Sequence, residues 1–171
     1  MDKIPEAWLR GPVEGVPAQL QPVAHALIQA HEEIALIMKD FPQSKLWEQP
    51  AGVASVAFHL QHIPGVLDRL FSYAKEKEIS HVQLKYLSEE GLEDPSISKE
   101  RLLENLSNGI NSSISFLKTV LPNTITDVRT VGRKKLPSTV SGLLFHAAEH
   151  TMRHTGQLLV TARILMYKEE G

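Results

Sequence analysis

Residues 143–158 read LLFHAAEHTMRHTGQL, and this stretch places three histidines four residues apart in a run of helix-forming residues. Side chains four residues apart on a helix lie about 5–6 Å from each other at Cβ, close enough for two imidazoles to bind one cation. From His146 to His154 the helical face turns by about 80°, so three such residues do not easily share one ion. The stretch predicts a helix that offers two histidines to a metal whose third ligand comes from another helix.

Four segments of the chain repeat apolar residues at intervals of three and four, which is typical of amphipathic helices. The histidine stretch belongs to the last of them, which begins after Pro137 with Ser138 or Thr139 as its N-cap. Pro42 follows the end of the first segment, and Pro122 stops the third. The predicted helices cover about residues 19–40, 52–77, 98–121 and 138–166.

These four helices, without a convincing sheet, indicate an all-α protein built as a four-helix bundle. The connection at 78–97 is longer than a helix hairpin needs, so it could cross the bundle and make the second and third helices parallel. Pro64 lies inside the second helix and is expected to kink it. Residues 127–133 are read as a short extended segment at most.

The composition limits the chemistry that this chain can perform. With 171 residues it is expected to form a single domain. Its 18 basic and 20 acidic side chains give a net charge of −2, which provides no basic field for nucleic acid. Neither a signal peptide nor a membrane span is predicted, so a soluble cytoplasmic protein is expected. The absence of cysteine leaves imidazole and carboxylate as the ligands for a metal.

The second predicted helix supplies the remaining ligand candidates, His59 and His62, three residues apart. Three neutral imidazoles with an open position are typical of catalytic metal centres, whereas four closed ligands are typical of structural ones. Zinc or nickel is the preferred metal, with iron or manganese as alternatives. Water at the open position would lose its proton near neutral pH and become a nucleophile, or the metal would polarise a bound substrate. The other histidines are expected at the core edge or in solvent: His25, His31 and His81.

Three known metal-binding motifs share part of these histidine spacings. HExxH requires a glutamate after the first histidine, but Thr151 follows His150. The reverse order, HxxEH, occurs at 146–150, but a protease of that type needs a third ligand and a mixed fold with a sheet. The Glu-x-x-His pattern of di-iron proteins fits only Glu78 and His81, at the frayed end of the second helix. None of these motifs replaces the site of three histidines.

Glu149 and Gln157 are the candidate catalytic residues near the histidines. Glu149 lies four residues before Arg153, which favours a simple ion pair; its alternative role is to support a histidine of another helix. Gln157 follows His154 by three residues on the same face. Its amide could hydrogen-bond an imidazole or cap the site.

The string EHTMRHTGQL, residues 149–158, resembles the closing motif of the DinB-like family of bacterial four-helix metalloproteins, in which two histidines four apart precede Gly-Gln. SVAFHLQHIPGVLDRLFSYA, residues 55–74, is similar to the family's motif around its first histidine. There, His62 is followed by an aliphatic residue, and Asp68 and Arg69 form the later acid–arginine pair. The resemblance extends over about residues 18–167.

The resemblance implies that His62, His150 and His154 hold the metal and that His59 and His146 are cavity neighbours. It also implies one domain over residues 1–171, a long crossover between the second and third helices, and a homodimer. Family members of known activity are metal-dependent thiol transferases and isomerases that use thiols such as bacillithiol or mycothiol. This chain is therefore expected to act on a small electrophilic substrate with such a thiol, or as a hydrolase with metal-bound water. The alternative is a non-catalytic, stress-related metal-binding or interaction bundle.

Overall fold

The computed structural model describes residues 4–167 as a mostly helical fold with one small sheet. The α-helices are α1 Gln21–Met38, α2 Val56–Ala74, α3 His81–Glu89, α4 Lys99–Leu117 and α5 Val140–Met166. An antiparallel hairpin pairs β1 Val128–Val131 with β2 Leu136–Thr139. Single 3-10 turns lie at Ala7–Leu9, Ala18–Leu20, Gln43–Lys45, Pro50–Gly52 and Pro122–Thr124. Within residues 4–167, none of the helices has both the length and the hydrophobicity of a membrane span.

The four predicted helices are present, and hydroxyl caps set where three of them begin. The side chains of Ser55, Ser98 and Thr139 each accept a hydrogen bond from a backbone N–H in the first turn of α2, α4 and α5. This satisfies a donor that the helix itself leaves unpaired. The second prediction, 52–77, was three to four residues too long at each end. At its start, 50–52 forms a separate 3-10 turn before the Ser55 cap.

Two elements contradict the predicted connections. The long connection at 78–97 contains α3, which starts with a capping box between Ser80 and Gln83. No residue of α3 is buried. Its aliphatic residues at 82, 84 and 87 do not repeat at intervals of three and four, so the pattern on which the prediction relied is missing. The expectation of no sheet was also wrong in detail. β1 lies within the predicted extended segment, and β2 occupies residues assigned to a loop and to the start of the last helix.

The core lies between α1, α2, α4 and α5. α2 packs against α4 and α5, and α1 packs against the same two helices. α4 approaches α2 closely at Gly109, where an added Cβ would lie 3.0 Å from the Cβ of Pro64. α2 continues on both sides of Pro64. Fully buried side chains of the core include Leu27, Ile34, Leu60, Ile63, Leu106, Ile110, Leu144 and Leu158.

Contacts near the helix ends show the relative direction of α2 and α4. The backbone N–H of Lys99, the first residue of α4, donates to Oε1 of Gln43 at 2.6 Å. The backbone N–H of Ala57, in the first turn of α2, donates to the carbonyl of Leu46 at 2.9 Å. One short segment, 43–46, therefore touches the start of both helices. The two packed helices run in the same direction, and the segment that contains α3 returns the chain between them.

Candidate metal centre

α2 and α5 bring four histidines together where the two helices pack. The Nε2 atoms of His62 and His150 lie 3.0 Å apart. The ring of His154 completes a triangle, with its centroid 4.4 Å from that of His62 and 4.5 Å from that of His150. Each of the three offers a ligand atom within 4.8 Å of the other two. His59 lies behind His154, with the two Nδ1 atoms 3.0 Å apart.

The donor set fits a divalent cation. Two nitrogens bound tetrahedrally to one zinc at about 2.0–2.1 Å lie about 3.3 Å apart, close to the separation of the two Nε2 atoms. The Nδ1 of His62 contacts Glu90 and the Nδ1 of His154 contacts His59, so both residues keep Nε2 for a metal. The residues present therefore match a metal held by three imidazoles.

Burial favours the neutral form of three histidines of the cluster, His59, His150 and His154. Desolvation, followed by the charge of His62, lowers the pKa of His154 to about 3. The same two causes lower the pKa of His59 to about 4. The pKa of His150 is also lowered, mainly by burial. Because a metal binds the neutral ring, these groups need not release a proton to bind a metal at neutral pH.

Glu90 reaches the cluster from the residue after α3. Its Oε2 lies 2.6 Å from Nδ1 of His62, and its Oε1 accepts a hydrogen bond from Nη1 of Arg69 at 2.6 Å. The Glu90 side chain is only 3% exposed. No sequence pattern identified Glu90, although the Glu-Gly pair at 90–91 follows a segment that begins with a hydroxyl cap. Its partner on α2 lies 28 residues away, which no local pattern connects.

Two glycines make room for this approach. A Cβ on Gly65 of α2 would collide with the Glu90 carboxylate and would lie 2.8 Å from Cε1 of Tyr86. Gly91 has φ +83°, a conformation that favours glycine, and its N–H donates to Oε1 of Gln61 at 2.8 Å. The Tyr86 hydroxyl donates to the carbonyl of Gln61 at 3.0 Å. The end of α3 is thus fixed on α2 by polar contacts.

Phe58 covers one side of the cluster. Its ring stacks on His62 with a centroid distance of 5.0 Å and an angle of 15° between the planes. It meets the ring of His59 edge-on, at 5.3 Å. A side chain at Gly91 would also press on Phe58, because an added Cβ would lie 2.9 Å from its ring. An apolar wall of this kind reduces the access of water to His62.

Glu149 lies beside the cluster and pairs along its own helix. Its Oε2 accepts from Nη2 of Arg153 at 2.6 Å, which is the predicted ion pair. Its Oε1 lies 2.7 Å from Nδ1 of His146, whose side chain is half exposed. His146, Glu149 and His150 form a second group of ligand atoms within 4.8 Å of one another. Gln157 is exposed.

The remaining histidines lie away from the cluster. Nε2 of His25 is 3.0 Å from the carbonyl of Gly11, and Nε2 of His31 is 2.8 Å from Oγ of Ser107. His81 is exposed at the first residue of α3. None of the three joins the groups of possible ligands found within residues 4–167.

Comparison with known proteins supports the mostly helical fold described above. The sequence model of the DinB superfamily matches residues 26–158, which is most of the chain. A solved structure described as the conserved protein of locus from Enterococcus faecalis superimposes with a TM-score of 0.70 at 20% identity. The match covers 87% of this chain and 98% of the other. At that identity the likeness concerns the fold alone. No curated protein matches the chain.

Proposed function

This chain belongs to the DinB superfamily, and on that basis we propose that His62, His150 and His154 hold one divalent cation. The observation that carries the proposal is the convergence of three imidazoles from two packed helices, with two Nε2 atoms 3.0 Å apart. Neutral imidazoles suit zinc and nickel, and iron or manganese are alternatives. His59 and His146 are proposed as neighbours of the site rather than ligands.

We propose that α1, α2, α4 and α5 form a four-helix bundle within one domain of residues 1–171, with α3 in the crossover. The pairwise packing of these helices and the common direction of α2 and α4 support this architecture. In such a bundle, two helices can present side chains to one interior site. The proposed ligands follow this arrangement, because one comes from α2 and two come from α5.

The chemistry that we propose is the transfer of a low-molecular-weight thiol to a small electrophilic substrate, or hydrolysis. A divalent cation with three protein ligands would acidify a thiol or water at its open position. The chain has no cysteine, so the thiol must come from outside. The contribution of the protein is to keep His150 and His154 neutral, to hold them in place, and to shield His62 with Phe58.

The alternative is a non-catalytic metal-binding bundle, and the environment of the catalytic candidates favours it. Both carboxylate oxygens of Glu149 are already paired, with His146 and Arg153. The Gln157 side chain forms no hydrogen bond within residues 4–167. Two cavities of about 370 and 390 Å³ lie between α2 and α4 and between α1 and α4, and no histidine of the cluster lines them.

Metal analysis tests the binding proposal. We expect about one divalent ion per chain in the wild type, and a large loss in His150→Ala and His154→Ala, since three ligands act together. His81→Ala is the matched control because His81 is exposed outside the cluster. Equal and near-zero metal in the wild type and both cluster variants would contradict the proposal.

An activity assay then separates enzyme from binding protein. The metal-loaded wild type is offered a panel of small thiols with an electrophilic acceptor, and conjugate formation is followed by mass spectrometry. An enzyme gives conjugate at a rate that falls to background in His154→Ala. A metal-loaded wild type that stays at the background rate with every thiol, and with hydrolysable substrates, favours the alternative.

We also propose that the chain forms a homodimer. Apolar side chains remain exposed on two helices that pack together: Leu36 of α1 is 74% exposed, and Val160 and Ile164 of α5 are 57% and 54% exposed. Exposed apolar surface is a common feature of protein–protein contacts. Sedimentation velocity of the wild type and of Leu36→Lys tests this; a monomeric wild type at micromolar concentration would contradict it.

A further inference from the structure

We infer that Glu90 is a positioning residue that sets the tautomer of His62; the consequence for metal binding rests on the proposed function. Oε2 of Glu90 lies 2.6 Å from Nδ1 of His62, and only 3% of the Glu90 side chain is exposed to solvent. An ionised carboxylate can only accept hydrogen bonds. When the His62 ring carries a single proton, that proton must therefore sit on Nδ1, which leaves the lone pair on Nε2.

The position of that lone pair matters because Nε2 is the atom that faces the cluster. It lies 3.0 Å from Nε2 of His150. The opposite tautomer would place a hydrogen at this point and remove the ligand. Hydrogen bonds from the second ring nitrogen to a carboxylate fix metal-binding histidines in this way, and their loss typically weakens metal affinity by about 10–100-fold.

Arg69 makes the buried carboxylate a reliable acceptor. Its Nη1 donates to Oε1 of Glu90 at 2.6 Å, and the side chains are 12% and 3% exposed. A buried charge needs such a partner, because desolvation is costly. With Oε1 occupied by Arg69, only Oε2 is left for His62. Arg69 and His62 therefore both donate a hydrogen bond, and the Glu90 carboxylate between them accepts both.

This order predicts an unusual result for the isosteric variant Glu90→Gln. Arg69 can only donate, so it would take the amide oxygen and leave the amide NH2 toward His62. A donor facing Nδ1 stabilises the tautomer with the proton on Nε2. Glu90→Gln is therefore expected to weaken metal binding more than Glu90→Ala, which leaves the His62 ring free to adopt either tautomer. If Glu90 served folding alone, Glu90→Gln would weaken metal binding less than Glu90→Ala, because glutamine fills the space of the glutamate side chain better than alanine does.

The experiment combines two measurements. Nitrogen-15 NMR of metal-free protein at pH 8 reads the tautomer of His62, which we expect to be Nδ1–H in the wild type and Nε2–H in Glu90→Gln. Competition with a chelator measures zinc affinity, which we expect to fall by about 10–100-fold in Glu90→Gln. Glu89→Gln is the matched control, since the Glu89 carboxylate is 53% exposed and pairs only with Lys85, at 3.7 Å.

The two measurements separate this inference from the proposed function. A wild type that carries the proton on Nε2 of His62, or a Glu90→Gln variant that binds zinc as tightly as the wild type, overturns the inference. A wild type with the Nδ1–H tautomer that binds no metal overturns the proposed function and leaves the tautomer assignment standing. If Glu90→Gln fails to fold, Glu90→Ala supplies the second variant: a His62 ring that carries its proton on Nδ1 there as fully as in the wild type overturns the inference.

Discussion

α2 meets two neighbours in different ways, and both deliver a group to the same histidine cluster. Its contact with α5 is part of the apolar core, where Leu60 and Leu158 are fully buried. Its contact with α3 holds no buried α3 residue. Polar contacts link α2 to α3 and to the two residues that follow it: Gln83 contacts Ser72, Tyr86 and Gly91 contact Gln61, and Glu90 contacts His62 and Arg69. The candidate ligands come from the apolar interface, whereas the carboxylate that orients one of them comes from the polar one.

The difference follows from how each contact is stabilised. Apolar burial contributes about 25 cal/mol per Å² and accumulates over a whole helix face. A polar contact contributes about 0.5–1.5 kcal/mol net, and somewhat more when a charge is involved. α3 is therefore expected to open locally far more often than α2 separates from α5. The three candidate ligands are therefore held by apolar packing, whereas the orientation of His62 depends on the more weakly held α3.

The largest effect is expected where the apolar interface is damaged. Leu158→Ala removes a fully buried side chain of α5 and should lower the free energy of unfolding by about 2–5 kcal/mol. Gln157→Ala, at the neighbouring exposed position, is the control and should change it by less than about 0.5 kcal/mol. Urea denaturation measures both. Equal losses would show that α5 is not held by its apolar face.

A smaller effect is expected where the polar interface is obstructed. Gly65→Ala places a Cβ against the Glu90 carboxylate, so the contacts of α3 should be lost. Despite the better helix propensity of alanine, we expect a net loss of about 1–2 kcal/mol in unfolding free energy. The matched control is Gly156→Ala in α5, where nothing lies within 4 Å and a gain of about 0.5–1 kcal/mol is expected. A gain at both positions would contradict the docking of α3.

Tyr86 allows the polar interface to be weakened by pH. Burial, and then the charge of Glu90, raises the pKa of Tyr86 to about 12 from 10.0. Between these values the unfolded chain has lost the phenolic proton and the folded chain has kept it, so stability falls as pH rises from 10 to 12. Tyr86→Phe should lose about 1 kcal/mol at pH 7 and show a shallower fall above pH 10. Urea midpoints across this range test it; parallel curves would contradict it.

The smallest effect is expected at the solvent side of α3. Lys85 and Glu89 form an exposed pair at 3.7 Å, with side chains 76% and 53% exposed. Lys85→Ala should change the unfolding free energy by less than about 0.5 kcal/mol, because water and salt screen such pairs. Thermal or urea unfolding measures it. A loss as large as that of Tyr86→Phe would show that α3 depends on its outer face.

The same contrast explains what could be predicted from the sequence. Apolar periodicity predicted α5 and α2, and the histidine spacing identified five candidate ligands on them. The resemblance to the DinB-like family selected His62, His150 and His154 among these, and the structure brings ligand atoms of the three within 4.8 Å of one another. That they hold a metal stays a prediction. Glu90 could not be found, because its position depends on α3, a helix of nine residues whose aliphatic residues do not repeat at intervals of three and four. The hairpin was missed because strands of four residues carry too little alternation to distinguish them from a loop.

The contacts of α3 also limit how the length of the chain can vary. On α2, Gln61 and Gly65 are one helical turn apart; on the opposite side, Tyr86 and Glu90 are also separated by four residues. An insertion between Tyr86 and Glu90 would move the Glu90 carboxylate away from the space beside Gly65, whereas the Tyr86 hydroxyl could still donate to the carbonyl of Gln61. Insertions at 92–97, which follow the last of these contacts, would leave the contacts of Tyr86 and Glu90 with α2 unchanged. Variation in length is therefore expected to concentrate there, and 86–91 is expected to keep a constant length.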